Sequence, residues 1–253
     1  MEGAWLRVFR YRQTHGRDGF ATLCDMNYLF DPPPVPSLPI QGSDQRFPIR
    51  RVFCIGRNYA EHAREMGAAP ETGMPMFFCK PADAVVSDGA DVPYPPATTE
   101  LHHEVELVVA LARGGRDIAA EDAMGTIFGY GVGVDLTRRD LQRQVKGKGH
   151  PWEIAKSFDH SAPISALRPA ADAGIDGHTV LRLEVNGERR QQATLGEMTH
   201  SVAQIIAALS TLFELKAGDL LFTGTPAGVG ALQRGDHVRA ELVGVATLDT
   251  RIA

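Results

Sequence analysis

A chain of 253 residues, 43 % hydrophobic and 23 % charged, has the composition of an ordinary globular protein, which excludes a disordered or fibrous chain and allows one large domain or a domain with a short extension. A formal charge of −5 from 26 basic and 31 acidic residues leaves no basic footprint for nucleic acid, and no apolar run approaches the length of a membrane span or resembles a signal segment. Cys24, Cys54 and Cys79 are odd in number and form no CxxC pair, which excludes a zinc ribbon, argues against a disulfide framework and fits thiols packed among apolar neighbours in a reducing cytoplasm.

In chain order, the alternating LRVFRY predicts a short strand or hairpin, and DPPPVPSLPIQGSD an irregular connector. Residues 1–48 therefore read as an extension and 49–253 as the main domain. Strands are predicted at 51–55, 76–79, 103–111, 127–135, 179–185, 219–223, 236–242 and 245–251, with Asn186–Gly187 marking a hairpin turn. Helices are predicted from Asn58, as N-cap, to Gly67, over 137–146, and over 201–213. Many short strands with few helices imply an α+β, β-rich fold built on antiparallel or mixed sheet.

The segment LHHEVELVVAL at 101–111 is the sharpest chemical feature. On a strand, Glu104 and Glu106 project to one face, while Val105 and the unbroken VVAL argue for burial. Two adjacent buried carboxylates repel each other and are costly to desolvate; a bound cation resolves that conflict. Asp135 ends the apolar run IFGYGVGVD, where it or Thr137 also suits a helix N-cap; it becomes a ligand if the glutamates need a third oxygen donor. Three carboxylates without cysteine or clustered histidine favour Mg²⁺ or Mn²⁺. His102 and His103 are set aside as zinc ligands, since His103 alternates away from the glutamates and His102 has no partner histidine at metal spacing.

His62 and Glu65, three apart on the first helix, share a face, either as a tautomer-fixing base pair or as an incidental exposed pair. Lysine is scarce, and Lys80 in MFFCKP and Lys156 in PWEIAKSF sit in apolar settings that call for an anionic partner or a snorkelling stem. The strand and Gly-rich turn LLFTGTPAGVG lacks the GKS/T ending of a phosphate loop, yet its amides and Thr225 suit a carboxylate.

Six strings, GRNYAEHAREMG, LHHEVELVVAL, VGVDLTRRDLQ, GHPWEIAKSFD, VNGERRQ and GDLLFTGTPAGVG, resemble the fumarylacetoacetate hydrolase superfamily in order and spacing across about residues 50–250. The resemblance implies a mixed β-sheet roll, usually a homodimer, with Mg²⁺ or Mn²⁺ held by Glu104, Glu106 and Asp135. It implies water activation by His62 and Glu65 on a lid segment, catalytic help from Lys156, and substrate binding by Arg57, Arg139, Gln142 and Thr225. FFCKPADAVV and the segment around FPIRRVFCIGRNYAEHAREM are most similar to the fumarylpyruvate hydrolases of gentisate breakdown, and also to acylpyruvases and oxaloacetate decarboxylases. The expected activity is hydrolysis of a C–C bond in a small 2-oxo acid, with decarboxylation, isomerisation or hydration as alternatives on the same scaffold. Glu100 is a departure from the family pattern, an extra acid expected to oppose a dicarboxylate near the metal. Substrate walls are expected in 30–48, 66–75 and 186–200.

Overall fold

The computed structural model describes residues 28–67 and 73–253; the N-terminal strand or hairpin expected before residue 28, and Cys24, lie outside the described residues. Packing divides the chain into Met1–Val35 and Pro36–Ala253. In the first unit the described stretch 28–35 forms no regular element and exposes Tyr28, Leu29, Phe30 and Val35. Everything below concerns the second unit.

The second unit begins with a two-strand pair, β1 (Ser37–Pro39) and β2 (Arg46–Pro48). There follow β3 (Arg51–Gly56), α1 (Ala60–Glu65), β4 (Met76–Lys80), β5 (Leu101–His103), β6 (Val105–Leu111) and β7 (Ile127–Val134). Next come α2 (Arg139–Gly147), α3 (Glu153–Lys156), the hairpin β8 (Val180–Val185) and β9 (Glu188–Thr194), and α4 (Val202–Leu212). The chain closes with β10 (Asp219–Phe222), β11 (Gly230–Leu232), β12 (His237–Leu242) and β13 (Ala246–Arg251). The central sheet runs β7-β6-β10-β3-β4, extended beyond β7 by Arg168–Pro169; β10 and β3 are parallel and the other pairs antiparallel. A second sheet, β9-β8-β12-β13, is antiparallel throughout. The fold is thus α+β, rich in sheet, and mixed, as the sequence predicts.

The central sheet is buried on both faces, which is why its strands read as unbroken apolar runs. Val105, Leu107 and Val109 of β6, with Phe53, Ile55 and Leu221, face a core completed by the second sheet and by Ile205, Ile206 and Leu209 of α4. Val108 and Ala110, with Val52, Cys54, Leu220 and Phe222, face the opposite core, closed by Leu38 and Phe47 of β1 and β2. Glycines alternate through β7 because that second face is crowded: Gly133 lies opposite Glu106, and a Cβ there would come within 2.7 Å of the Phe222 ring. Helix α4 starts as predicted, with Ser201 and Gln204 forming a reciprocal capping box.

Five local expectations differ from the structure, the first being that the connector expected to be irregular carries strand β1, whose Leu38 packs into the core. The predicted 103–111 strand is broken at Glu104, between β5 and β6, where the chain switches from pairing with β11 to pairing with β7. Asn58 is not the cap of α1; Tyr59 holds that position, and the Asn58 side chain bonds Thr223 O, His200 O and His200 N–H instead. Neither Asp135 nor Thr137 caps α2, whose N-cap is Arg138. Cys54 is buried as expected, but the Cys79 side chain on edge strand β4 is exposed.

Candidate metal centre and active-site cleft

Three buried carboxylates meet where β5 passes into β6 and where β7 ends. Oxygens of Glu104, Glu106 and Asp135 all lie within 4.8 Å of one another. Local backbone order sets this up: Glu106 lies on the same strand face as Val108, and the Asp135 amide donates to Glu104 O at 2.8 Å, locking the two ligand-bearing segments together. The Gly224 N–H donates to Glu106 Oε2 at 2.6 Å, and Gly224 takes φ +97, a conformation that favours glycine.

Two lysines offset the acids. Lys156 Nζ donates to Glu104 Oε2 at 2.7 Å and to Asp135 Oδ2 at 2.6 Å. Lys80 Nζ lies 2.9 Å from Asp135 Oδ1 in an ion pair without hydrogen-bond geometry, so that oxygen has no hydrogen bond. Burial pushes Glu104 up, but Lys156 and Arg139 outweigh it and hold its carboxyl well below the ordinary range. Glu106 goes the other way: burial first, then the charges of Asp135 and Glu104, push it well above that range. Burial also opposes the charge on Lys156, yet Asp135 and Glu104 raise its pKa. An all-oxygen donor set, fully buried, with one carboxylate pushed toward its neutral form and a carboxylate oxygen left without a hydrogen bond, fits a hard divalent cation such as Mg²⁺ or Mn²⁺. His102 and His103 belong to other networks, as the sequence implies: His102 contacts Glu100 and Arg139, and His103 contacts Gln191.

The carboxylates open into a cleft that reaches solvent and is also lined by Arg57, His62, Arg139, Gln142, Lys156 and Thr225. Glu65 stands behind His62 rather than in the wall. Its Oε2 lies 3.2 Å from His62 Nδ1, and its carboxylate accepts from the Gly228 N–H, so helix α1 is latched to the Gly-rich turn. Each residue that the sequence offers as a metal ligand, a catalytic group or a substrate contact is therefore in the cleft or touches a residue that is. Arg139 Nη2 donates to Glu104 and Nη1 to Gln142, while Arg139 Nε donates to His102 Nδ1 at 3.3 Å. His102 Nε2 in turn lies 3.1 Å from Glu100, which Arg143 grips with two nitrogens. The Glu100 carboxyl is held low first by the hydrogen bond from Arg143, so this acid is compensated in place rather than left to oppose a dicarboxylate.

Several site residues were not singled out for it in the sequence. Lys80, whose apolar setting in the sequence calls for an anionic partner or a snorkelling stem, has that partner in Asp135. Met66, Met76, Phe78, Lys146 and Trp152 line the cleft, with Met76 and Phe78 two apart on β4. Among the described residues, the loops expected to form substrate walls contribute only Met66 directly. Gln191 stands behind Thr225, and its signal was hidden by a bulge. The β8–β9 register shifts between Leu183 and Glu184, which sets Gln191 rather than Arg190 opposite Leu183 on the buried face.

Comparison with known proteins agrees with this arrangement. The chain is similar to a fumarylpyruvate hydrolase from Pseudomonas aeruginosa, solved in complex with Mn²⁺ and pyruvate, at 50 % identity and a TM-score of 0.87, covering 90 % of this chain and 99 % of that one. It is 44 % identical to the oxaloacetate tautomerase YcgM of Escherichia coli (strain K12), covering 84 % of this chain and 96 % of that protein. It is 37 % identical to the mitochondrial oxaloacetate tautomerase FAHD1 of Homo sapiens, covering 80 % and 91 % respectively. With the family model for the fumarylacetoacetate (FAA) hydrolase C-terminal domain matching residues 51–253, the chain belongs to the fumarylacetoacetate hydrolase family of enzymes.

Proposed function

We propose that the protein is a metal-dependent hydrolase that cleaves an acylpyruvate, with fumarylpyruvate as the substrate giving fumarate and pyruvate. The observation that carries this reading is the meeting, in one cleft, of a buried carboxylate triad and a histidine backed by a glutamate. Hydrolysis needs both parts: a place to hold the 2-oxo acid end and a base for the attacking water. The bound Mg²⁺ or Mn²⁺ would act as a Lewis acid toward the 2-oxo acid and ease departure of the pyruvate enolate.

The chain's own residues have these roles. His62, oriented by Glu65, accepts a proton from water. The water oxygen bonds to the distal carbonyl carbon, and the bond from that carbon to the methylene breaks. One product is fumarate, and the enolate left behind takes up a proton to become pyruvate. Lys156 and Thr225 face the anionic end of the substrate, while Arg139 and Gln142 position it from α2. Arg57 stands in the wall as a further cation. Lys146, one turn beyond Gln142 on the same helix, lines the cleft with no ion pair or hydrogen bond to its side chain among the described residues. That charge suits the second carboxylate of an extended diacid. A place in gentisate breakdown, a cytoplasmic setting and a homodimeric state go with the same reading; among the described residues no helix is long and apolar enough to cross a membrane.

A second reading, oxaloacetate tautomerase, draws on the names of the relatives at 44 % and 37 % identity. It uses the same chelating end but requires no attacking water. The deciding experiment offers fumarylpyruvate, acetylpyruvate and oxaloacetate in parallel with Mn²⁺ or Mg²⁺, measuring pyruvate release and, for oxaloacetate, enol–keto exchange. Pyruvate release fastest from fumarylpyruvate and abolished by EDTA is expected. Enol–keto exchange without cleavage of either acylpyruvate would move the assignment to tautomerase.

A further inference from the structure

The side chain of Gln191 on β9 is buried and uses its full hydrogen-bonding capacity. Its Oε1 accepts from the Val105 N–H at 3.0 Å and faces His103 Nδ1 at 2.9 Å. Its Nε2 donates to Pro226 O at 2.8 Å and to Thr225 Oγ1 at 2.8 Å. Two of these partners have fixed polarity, since a backbone N–H only donates and a backbone carbonyl only accepts. They settle which end of the amide is oxygen, and the other two contacts follow. His103 must carry its proton on Nδ1, because the Gln191 amide oxygen can only accept. Thr225 Oγ1 must accept from Gln191.

A hydroxyl has one proton. With the Thr225 oxygen accepting from behind, its proton is left to donate elsewhere, and the side chain lines the cleft beside the carboxylate triad. We infer that Gln191 is a positioning residue that turns the Thr225 hydroxyl proton into the cleft, where it receives the carboxylate of a 2-oxo acid. The inference rests on the reading of the cleft as a 2-oxo acid site and adds the group that sets its polarity. Gln191 itself does not line the cleft, so it acts through Thr225. By contacting Val105 and His103 as well, it also ties the hydroxyl to the β5–β6 segment that carries Glu104 and Glu106.

The test is pyruvate binding to the Mn²⁺-loaded full chain by titration calorimetry, for wild type, Gln191→Met, Thr225→Val and the double variant. Each single change is expected to weaken pyruvate about tenfold or more, the loss typical of a hydrogen bond to a charged group. The double variant is expected to bind no more weakly than Thr225→Val alone, and Mn²⁺ affinity to stay unchanged in all four. A purely structural glutamine would instead add its loss to that of Thr225→Val, and that result overturns the inference. If circular dichroism shows Gln191→Met unfolded, Gln191→Glu replaces it. A glutamate there still accepts from Val105 but draws the hydroxyl proton back toward itself, so the same weakening is expected and wild-type affinity overturns the inference. Wild-type protein without pyruvate affinity would overturn the 2-oxo acid reading and this inference together. Wild-type binding with both Gln191 variants indifferent would overturn the inference alone.

Discussion

Glu106 sits on a strand buried on both faces, beside Asp135 and Glu104, and burial with those two charges pushes its carboxyl well above the usual range. Its folded pKa is therefore above its unfolded one. The stability linked to it is fully present below the unfolded pKa and is lost as pH rises through the raised folded value. Glu104, held below the ordinary range, stays ionised across that window and adds no slope there. Metal-free protein is thus expected to lose thermal stability as pH rises above the ordinary carboxylate range, and Mn²⁺ to remove the loss. Melting curves with EDTA and with Mn²⁺ over roughly pH 5 to 8 check this; parallel curves would contradict it. The sequence exposes this conflict directly, because two glutamates flanking a valine in an unbroken apolar run have few other resolutions. Lys146 was harder to read, since a lysine on a polar helix face is ordinarily just solvated. Its place in the cleft predicts that Lys146→Glu raises KM for fumarylpyruvate about fivefold and leaves acetylpyruvate, which lacks a second carboxylate, unchanged. Steady-state kinetics on both substrates decides it.

At the scale of elements, the strands and main helices of the core were legible because each has the right period and clear turn signals. What escaped were features that depend on tertiary partners. Asn58 looks like a helix cap, but its amide clamps the start of α1 to the end of β10 and to His200, bonding Thr223 O at 2.8 Å and His200 N–H at 2.7 Å. Local sequence cannot distinguish a cap from such a clamp. The same holds for the β8–β9 bulge, which changes the face on which Gln191 lies without leaving a compositional trace. Gly224 joins these elements to the site. A Cβ there would fall 2.6 Å from Asn58 Cβ, at a φ of +97 that L residues rarely adopt. Gly224→Ala is expected to cost about 1–3 kcal/mol of stability and to weaken Mn²⁺ binding as well, because its amide holds Glu106. Denaturant unfolding and Mn²⁺ titration on one preparation measure both, and loss of stability with intact Mn²⁺ affinity would separate the turn from the metal site.

In the whole unit, the cleft is assembled from pieces distant in sequence: the end of β3, α1, β4, the junction of β5 and β6, the end of β7, helices α2 and α3, and the turn after β10. No local pattern announces that convergence. It was legible only because six strings, each weak alone, occur in one order. Five of those strings meet in one cleft and the sixth, VNGERRQ, ends at Gln191 behind Thr225; that meeting gives the His62–Glu65 pair, unremarkable as an i,i+3 helix contact, a place beside three carboxylates. The central claim is that this pair activates water for cleavage of a carbon–carbon bond at the metal centre. The most direct measurement compares wild type and His62→Ala, both loaded with Mn²⁺, for fumarylpyruvate cleavage and for oxaloacetate enol–keto exchange on the same samples. Cleavage is expected to fall about 10²–10⁴-fold with Mn²⁺ affinity and any oxaloacetate exchange largely retained. Cleavage by His62→Ala at the wild-type rate would contradict the account.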